Sequence, residues 1–451
     1  MTDGIENIGK RDVVWSYAAT FFMVGAGVLL FPFILNKMSA ETVGIWNIFQ
    51  TITALILLLD FGFRPSFARN ISYIFSGVRE LKREGVNHVG DDTAVDYSLL
   101  KATIVAMQRF YRWMALAVLA ILATIGSLYF WYILNKYTGD RTDAIVAWLL
   151  LIAINCYNLY TLYYDALLTG KGYIKRSQQI LIIAQVTYIV VAIVLIYMGW
   201  GLSAIVSAQL LSTIIRRAIT KRVFFRKSLR ERLAQAETGD VHAVMQAITP
   251  NAVKVGLTYL GAFCITKSAV LLGSFYLPLA AVASFGITMQ VMDVLSRCGQ
   301  VFYVAYTPRL AQCRAENNLP ALRRYYLLSV CCLVVVFIVG GALWIECGDW
   351  ALRLIHSNTT FIETSMLLAA LAINFLENNH AVAAGFIMAD NRIPFFIPSL
   401  ASGAATLVLL WLLLGPLDMG IWGMILAPGI AQLAYQNWKW PCEVIKELIK
   451  D

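Results

Sequence analysis

Apolar runs of about 20 residues, each closed by a short polar or basic segment, recur along the whole chain. They fall near 13–35, 43–63, 113–134, 144–168, 178–198, 202–221, 250–272, 279–306, 325–345, 362–388, 395–415 and 419–438. A helix needs about 20 apolar residues to cross a bilayer. The pattern therefore predicts an all-α polytopic membrane protein with about 12 transmembrane helices. The first run is too long for the apolar core of a secretory signal and lacks a convincing cleavage site, so it is expected to stay as a span.

One stretch occurs twice. Ala144 to Gly170 reads AIVAWLLLIAINCYNLYTLYYDALLTG, and a shift of 219 lays Ala153-Ile154-Asn155 on Ala372-Ile373-Asn374 and Asn158 on Glu377. The same shift pairs Ile174 with Ile393, Thr187 with Thr406, Gly201 with Gly420 and Ala208 with Ala427, without a gap. Such a register predicts two pseudo-equivalent six-helix bundles. Residues 1–221 are the first lobe, 222–240 a basic cytoplasmic linker, and 241–451 the second lobe with a short amphipathic tail.

Composition fits this reading and charge orients it. The chain has 451 residues, 59% hydrophobic and only 14% charged, whereas a soluble domain carries about 25% charged residues. A net charge of +9 would point to nucleic acid in a soluble protein. Here the distribution decides otherwise. With the N-terminus inside, 29 of the 36 Lys and Arg fall in cytoplasmic segments when Arg216, Arg217 and Lys221 at the inner end of the sixth span are counted with the basic stretch they begin, and only Lys37, Lys136, Arg141 and Arg353 fall in outer loops. The positive-inside rule then puts both termini in the cytoplasm, and no nucleic-acid partner is needed. The run RRAITKRVFFRKSLRER links the lobes and alternates basic with apolar residues, as an amphipathic helix on an anionic leaflet would. The eight cysteines form no CxxC and read as packing residues, without a disulfide or metal framework.

The chemistry is in the polar residues that interrupt the spans. A charge near mid-membrane costs about 2.5–3.5 kcal/mol on insertion scales, so it is expected to face a partner or a cavity. Lys267, Asp293, Arg297 and Glu377 fall well inside predicted spans; Lys254 is close enough to an end to snorkel. Asp60 and Arg64 are four apart, as are Asp293 and Arg297, so each pair shares a helix face. Asn47, Gln50, Thr51 and Thr53 give the second span a polar face, and NFLENNH, Asn374 to His380, is the most polar run in any span. Matched polar positions in both halves, Asn155 with Asn374 and Asn158 with Glu377, favour a polar cavity between the bundles over a set of structural ion pairs. No GxxxxGK[ST], GxSxG or HExxH is present, the outer loops are short, and the four histidines are dispersed. Neither catalysis nor a cofactor is expected.

Two segments carry a family resemblance. VGIWNIFQTITALILLLDFGFRPSFARN, Val43 to Asn70, resembles the second span of bacterial polysaccharide and O-antigen flippases. The matching features are Val43-Gly44, the Asp60-Phe61-Gly62 exit and Arg69. LLTGKGYIKRSQ, Leu167 to Gln178, is similar to that family's inner turn. The family belongs to the multidrug, oligosaccharidyl-lipid and polysaccharide (MOP) flippase superfamily. The resemblance implies a bacterial inner-membrane flippase that moves an undecaprenyl-pyrophosphate-linked oligosaccharide to the outer leaflet by alternating access, with H+ or Na+ as a coupling cation. Lys267, Arg297 and Arg64 would then meet the pyrophosphate, with Asn155 and Asn374 as further substrate contacts. Asp60, Asp293 and Glu377 would balance charge or carry ions. The rival expectations are a multidrug and toxin extrusion pump for cations and, in a different class, a membrane glycan polymerase or ligase.

Overall fold

The computed structural model describes residues 29–60, 62–79, 81, 95–315, 318–388 and 394–449, together with Trp15 and Phe22. Most of the first predicted span, including Gly25 and Gly27, lies outside the described residues, as do the GDDT hairpin and Ile393. Among the described residues every regular element is a helix.

After helical residues 29–37 come α1 (Ala40–Leu58), α2 (Phe63–Phe75) and α3 (Tyr97–Ile121). A π-helical turn, Leu122–Gly126, carries α3 into α4 (Ser127–Asn135). The first half continues with α5 (Arg141–Tyr160), α6 (Tyr163–Gly170), α7 (Ile174–Tyr197), α8 (Gly201–Phe224) and α9 (Lys227–Gln235). The second half holds α10 (Val241–Thr266), α11 (Ser268–Tyr276), α12 (Leu279–Ala315), α13 (Leu319–Leu354), α14 (Thr364–Met388), α15 (Phe396–Leu414), α16 (Ile421–Leu433) and α17 (Gln436–Ile449). Among the described residues eight helical segments are long and apolar enough to cross a membrane, and α10–α11, bent by 43° at Lys267, makes a ninth. Two predicted spans differ. α14 has the length of a span, but its Asn, Glu and His residues make it too polar to pass the same measure. The run 419–438 breaks at Ala434–Tyr435 into α16 and α17.

The helices group into two compact units. One takes the described residues up to Lys37 and Ile52–Leu257; the other takes Met38–Thr51 with the described residues from Thr258 on. The division falls inside α1 and inside α10, not in the basic linker. In the first unit α7 packs on α8, α8 on α5, and α5 on α3. In the second unit α15 packs on α16, both α16 and α17 on α14, and α14 on α13. These neighbours are related by the 219-residue shift. The match extends to single residues. Gly201 and Gly420 both begin a helix with positive φ, 57° and 58°, a region in which a Cβ is strained. Asn155 and Asn374 each donate to the carbonyl four residues back, on Leu151 and Ala370, at 2.9 Å. Thr187 and Thr406 do the same to Ile183 and Ser402.

Two segments outside the spans pack on the helices beside them. In the basic linker α9 folds against α3, Lys101 Nζ donates to the Ala236 carbonyl at 2.7 Å, and Arg232 donates to the Tyr97 hydroxyl at 2.7 Å. The amphipathic tail is core. α17 buries Trp440, Val444 and Leu448 against Leu310, Tyr326, Val382 and Phe386, so its apolar face is already covered.

Candidate functional site

Lys267 stands where α10 ends and α11 begins. The break has a local cause: Thr266 Oγ1 donates to Ala262 O at 2.9 Å, and Ser268 Oγ donates to Cys264 O. Such back-bonding competes for the carbonyls that the next helical turn would use and bends the helix. Lys267 leaves the α-helical region at φ −125°, and its side chain reaches across to α12. There Nζ lies 2.8 Å from Asp293 Oδ2, with side-chain exposures of 38% and 52%. The α12 pair expected from sequence, Asp293 with Arg297, is not formed. Asp293 is taken by Lys267, while Arg297 is exposed and is not on the wall of the adjoining cavity.

That cavity, about 100 Å³, lies within the second unit. Its polar lining is Thr266, Lys267, Asp293, Asn374 and Glu377; Phe285, Met289, Met424 and Pro428 are among the apolar residues that line it. Glu377 is held from behind. Gln432 Nε2 donates to both of its carboxylate oxygens, at 3.0 and 2.9 Å, and Gln436 Nε2 donates to Gln432 Oε1 at 2.7 Å. His380 Nδ1 is 3.6 Å from Glu377 Oε2 and 3.1 Å from Asn437 Oδ1. An amide that donates to both oxygens in this way holds the carboxyl group in one orientation. The cavity thus combines one ammonium, two carboxylates and an apolar wall. Such a site fits an amphiphile or an ion pair. One layer along, Asn378 accepts from Gln300 at 2.6 Å and donates to Ser296 at 2.9 Å, closing α14 onto α12.

In the first unit the expected site residues are occupied by structure. Asp60 does not pair with the Arg64 guanidinium. Its carboxylate accepts the Arg64 backbone N–H at 3.2 and 3.1 Å, capping the start of α2, and the Tyr111 hydroxyl donates to it at 2.5 Å. The Arg64 side chain is left exposed. Asn155 is 1% exposed and spends its amide on Leu151 and on Thr53 Oγ1 at 3.4 Å, so it is a packing residue that lines no open space. On the polar face of α1, Asn47, Thr51 and Thr53 are buried, with Asn47 accepting from Gln290 at 2.7 Å, but Gln50 is exposed.

Sequence reading missed the strongest electrostatic feature of this unit. Arg216 and Arg217, which it assigned to the basic cytoplasmic stretch, belong to the last turns of α8 and close on Asp165 from α6. Arg216 Nη2 lies 2.8 Å from Asp165 Oδ2, and Arg217 Nη1 lies 2.8 Å from Oδ1. Arg217, 1% exposed, also donates to Asn158 Oδ1 at 2.6 Å. The 2.8 Å contact of Nη1 is an ion pair without hydrogen-bond alignment, and Nε finds no partner. The available signal was the duplication itself. Arg217 shifts onto Gln436 and Asn158 onto Glu377, and in the second unit those positions are joined through Gln432.

No family model and no curated relative matches the sequence. Solved structures do match the fold along nearly the whole chain. A multidrug resistance MATE family transporter of the MOP superfamily, inward-facing, aligns at TM-score 0.66 and 14% identity, covering 95% of this chain and 94% of that one. The lipid II flippase MurJ, in an inward closed conformation, aligns at 0.62 and 13% identity, with 96% and 87% coverage. The MATE multidrug transporter DinF-BH aligns at 0.60 and 17% identity, with 98% and 96% coverage. The fold is that of the MOP-superfamily transporters.

Proposed function

We propose that the chain is a membrane flippase that carries an undecaprenyl-pyrophosphate-linked oligosaccharide from the cytoplasmic to the outer leaflet of a bacterial inner membrane by alternating access. The observation that carries the reading is Lys267: an ammonium presented at a helix break, in a cavity lined by both polar and apolar side chains. Its pairing with Asp293 is no obstacle. An exposed pair of this kind is worth about 0–1 kcal/mol, so a diphosphate, with charge-assisted hydrogen bonds, can displace the carboxylate. Arg297, one turn along α12 and without an ion pair among the described residues, is the second cation available to the ligand. In the first unit Arg64, exposed at the start of α2, is a further cation open to its surroundings. Asp293 and Glu377 are the acids that would take a coupling H+ or Na+.

A second reading, export of cationic compounds, also has an observation in its favour. The cavity wall holds two carboxylates, Asp293 and Glu377, against one ammonium. One experiment separates the two. The gene is deleted in its native host, and lipid-linked glycans of the two leaflets are compared alongside sensitivity to cationic dyes. Complete lipid-linked units accumulating on the inner leaflet support the flippase; dye sensitivity with normal glycan export replaces it with the exporter. Complete units on the outer leaflet that fail to lengthen or transfer would instead point to a polymerase or ligase.

A further inference from the structure

A second cluster of cations, remote in sequence from Lys267, surrounds one aromatic ring of the first unit. Lys171, Arg176 and Arg226 lie over Tyr173, at 5.3, 4.8 and 5.9 Å from the ring centroid. Lys171 is 7% exposed and is also held over Phe75 at 5.0 Å and Phe224 at 5.9 Å. A ring has two faces, so at least two of the three cations share one. Aromatic faces attract a cation but leave its charge in place. Among the described residues none of the three forms an ion pair with a carboxylate. Nearly burying an ammonium beside two guanidiniums, with no carboxylate paired to them among the described residues, raises the energy of the empty site, and an anion relieves it.

The position of the cluster identifies the anion. Tyr173 immediately precedes α7, and Arg226 follows α8 by one residue. These two helices are adjacent, antiparallel and both apolar enough to span a membrane. Tyr173 and Arg226 are therefore at the same end of the pair, where lipid headgroups meet water. Arg176 and Arg226 supply planar guanidinium forks suited to phosphate oxygens, and Lys171 supplies a fixed point charge beneath them. We infer that Lys171, Arg176 and Arg226 form a binding site for the phosphate of an anionic phospholipid headgroup, a resident lipid distinct from any transported molecule. The inference does not depend on the flippase reading. It uses residues of the first unit only.

The test uses the full-length protein and two lipids with identical acyl chains, phosphatidylglycerol and phosphatidylcholine, followed by native mass spectrometry of retained lipid. Wild type should retain phosphatidylglycerol on the order of tenfold more than phosphatidylcholine, about what two surface basic residues supply. The Arg176→Gln/Arg226→Gln variant should bring that ratio close to one. Lys227→Gln/Arg230→Gln removes the same charge from exposed neighbours and should leave the preference intact. If the double variant is poorly folded, Arg226→Gln alone, at an exposed position between helices, should lower the preference severalfold. Equal loss in the control variant, or no preference in wild type, overturns the site. Retention of added inorganic phosphate with no lipid preference would assign the cluster to free phosphate and overturn the lipid.

Discussion

Lys267 Nζ lies 2.8 Å from Asp293 Oδ2, and the pair joins a broken helix to its unbroken neighbour with more than a third of each side chain still open. That openness separates function from stability at this site. Because the pair is solvated, removing either member should change stability by about 0–1 kcal/mol at most. Lys267→Ala should therefore express and purify like wild type while losing export of the lipid-linked glycan. Lys267→Arg should retain part of it, since the charge survives with altered geometry. Export assayed in the deletion strain, at matched protein levels, is the measurement. Normal export by a well-expressed Lys267→Ala would remove this residue from the substrate site.

The buried arginines of α8 should behave in the opposite way. Asp165 balances two guanidiniums, one of them fully enclosed. Asp165→Asn leaves a buried charge uncompensated, which costs about 3–5 kcal/mol. The folded yield should fall sharply, as read by size-exclusion chromatography of the detergent-extracted protein. Adding Arg217→Met should restore much of that yield. A folded, monodisperse Asp165→Asn protein would show that the network is not structural.

The matched glycines give a paired test of the duplication. Gly201→Ala and Gly420→Ala each force a Cβ into positive φ, and at Gly420 ψ is −135°, a combination outside the left-handed helical region that only glycine adopts freely. At Gly420 nothing lies within 4 Å of the new methyl, whereas at Gly201 it would lie 2.5 Å from Asp143 Oδ2. Asp143 caps α8 through the Leu202 and Ser203 backbone N–H groups, at 2.6 and 3.0 Å. Thermal unfolding in detergent should therefore show a loss for both variants, with Gly201→Ala also losing about the 1 kcal/mol of the cap, so that Asp143→Ala costs less in the Gly201→Ala background than in wild type. An equal cost of Asp143→Ala in both backgrounds would mean that the cap yields to the methyl at no cost.

Orientation is tested with single cysteines. Cys347, placed in an outer loop by the hydropathy pattern, lies within α13, so it is a poor reporter of the aqueous side. Thr360 is exposed in the segment between α13 and α14. With the other cysteines removed, Thr360→Cys should react with a membrane-impermeant maleimide on sealed cells, and the exposed Cys442 only after the membrane is opened. Labelling of Cys442 in sealed cells would invert the topology.

Hydropathy along the chain is a one-dimensional property, and what depends on it was legible in the sequence. The helical class, most of the spans and the repeat at 219 residues all follow from where apolar runs start and stop. Gly201 with Gly420, and Asn155 with Asn374, hold the same local conformation or hydrogen bond because each is set by residues within one turn. The choice of partner for each charge is of another kind. Asp293 could have met Arg297 one turn away, yet it meets Lys267, 26 residues distant across a helix break. Asp60 turned to Tyr111, 51 residues on, and Arg217 to Asn158, 59 residues back. Spacing along a helix says only which side chains share a face. Which of them find each other depends on how each helix is rotated against its neighbours, and that is fixed by packing the apolar residues around them. A bundle of membrane helices, with an internal repeat and with charges inside it, can be read from periodicity alone. Helix packing settles which charges are locked into the scaffold, as at Asp165, and which are left open to a ligand, as at Lys267.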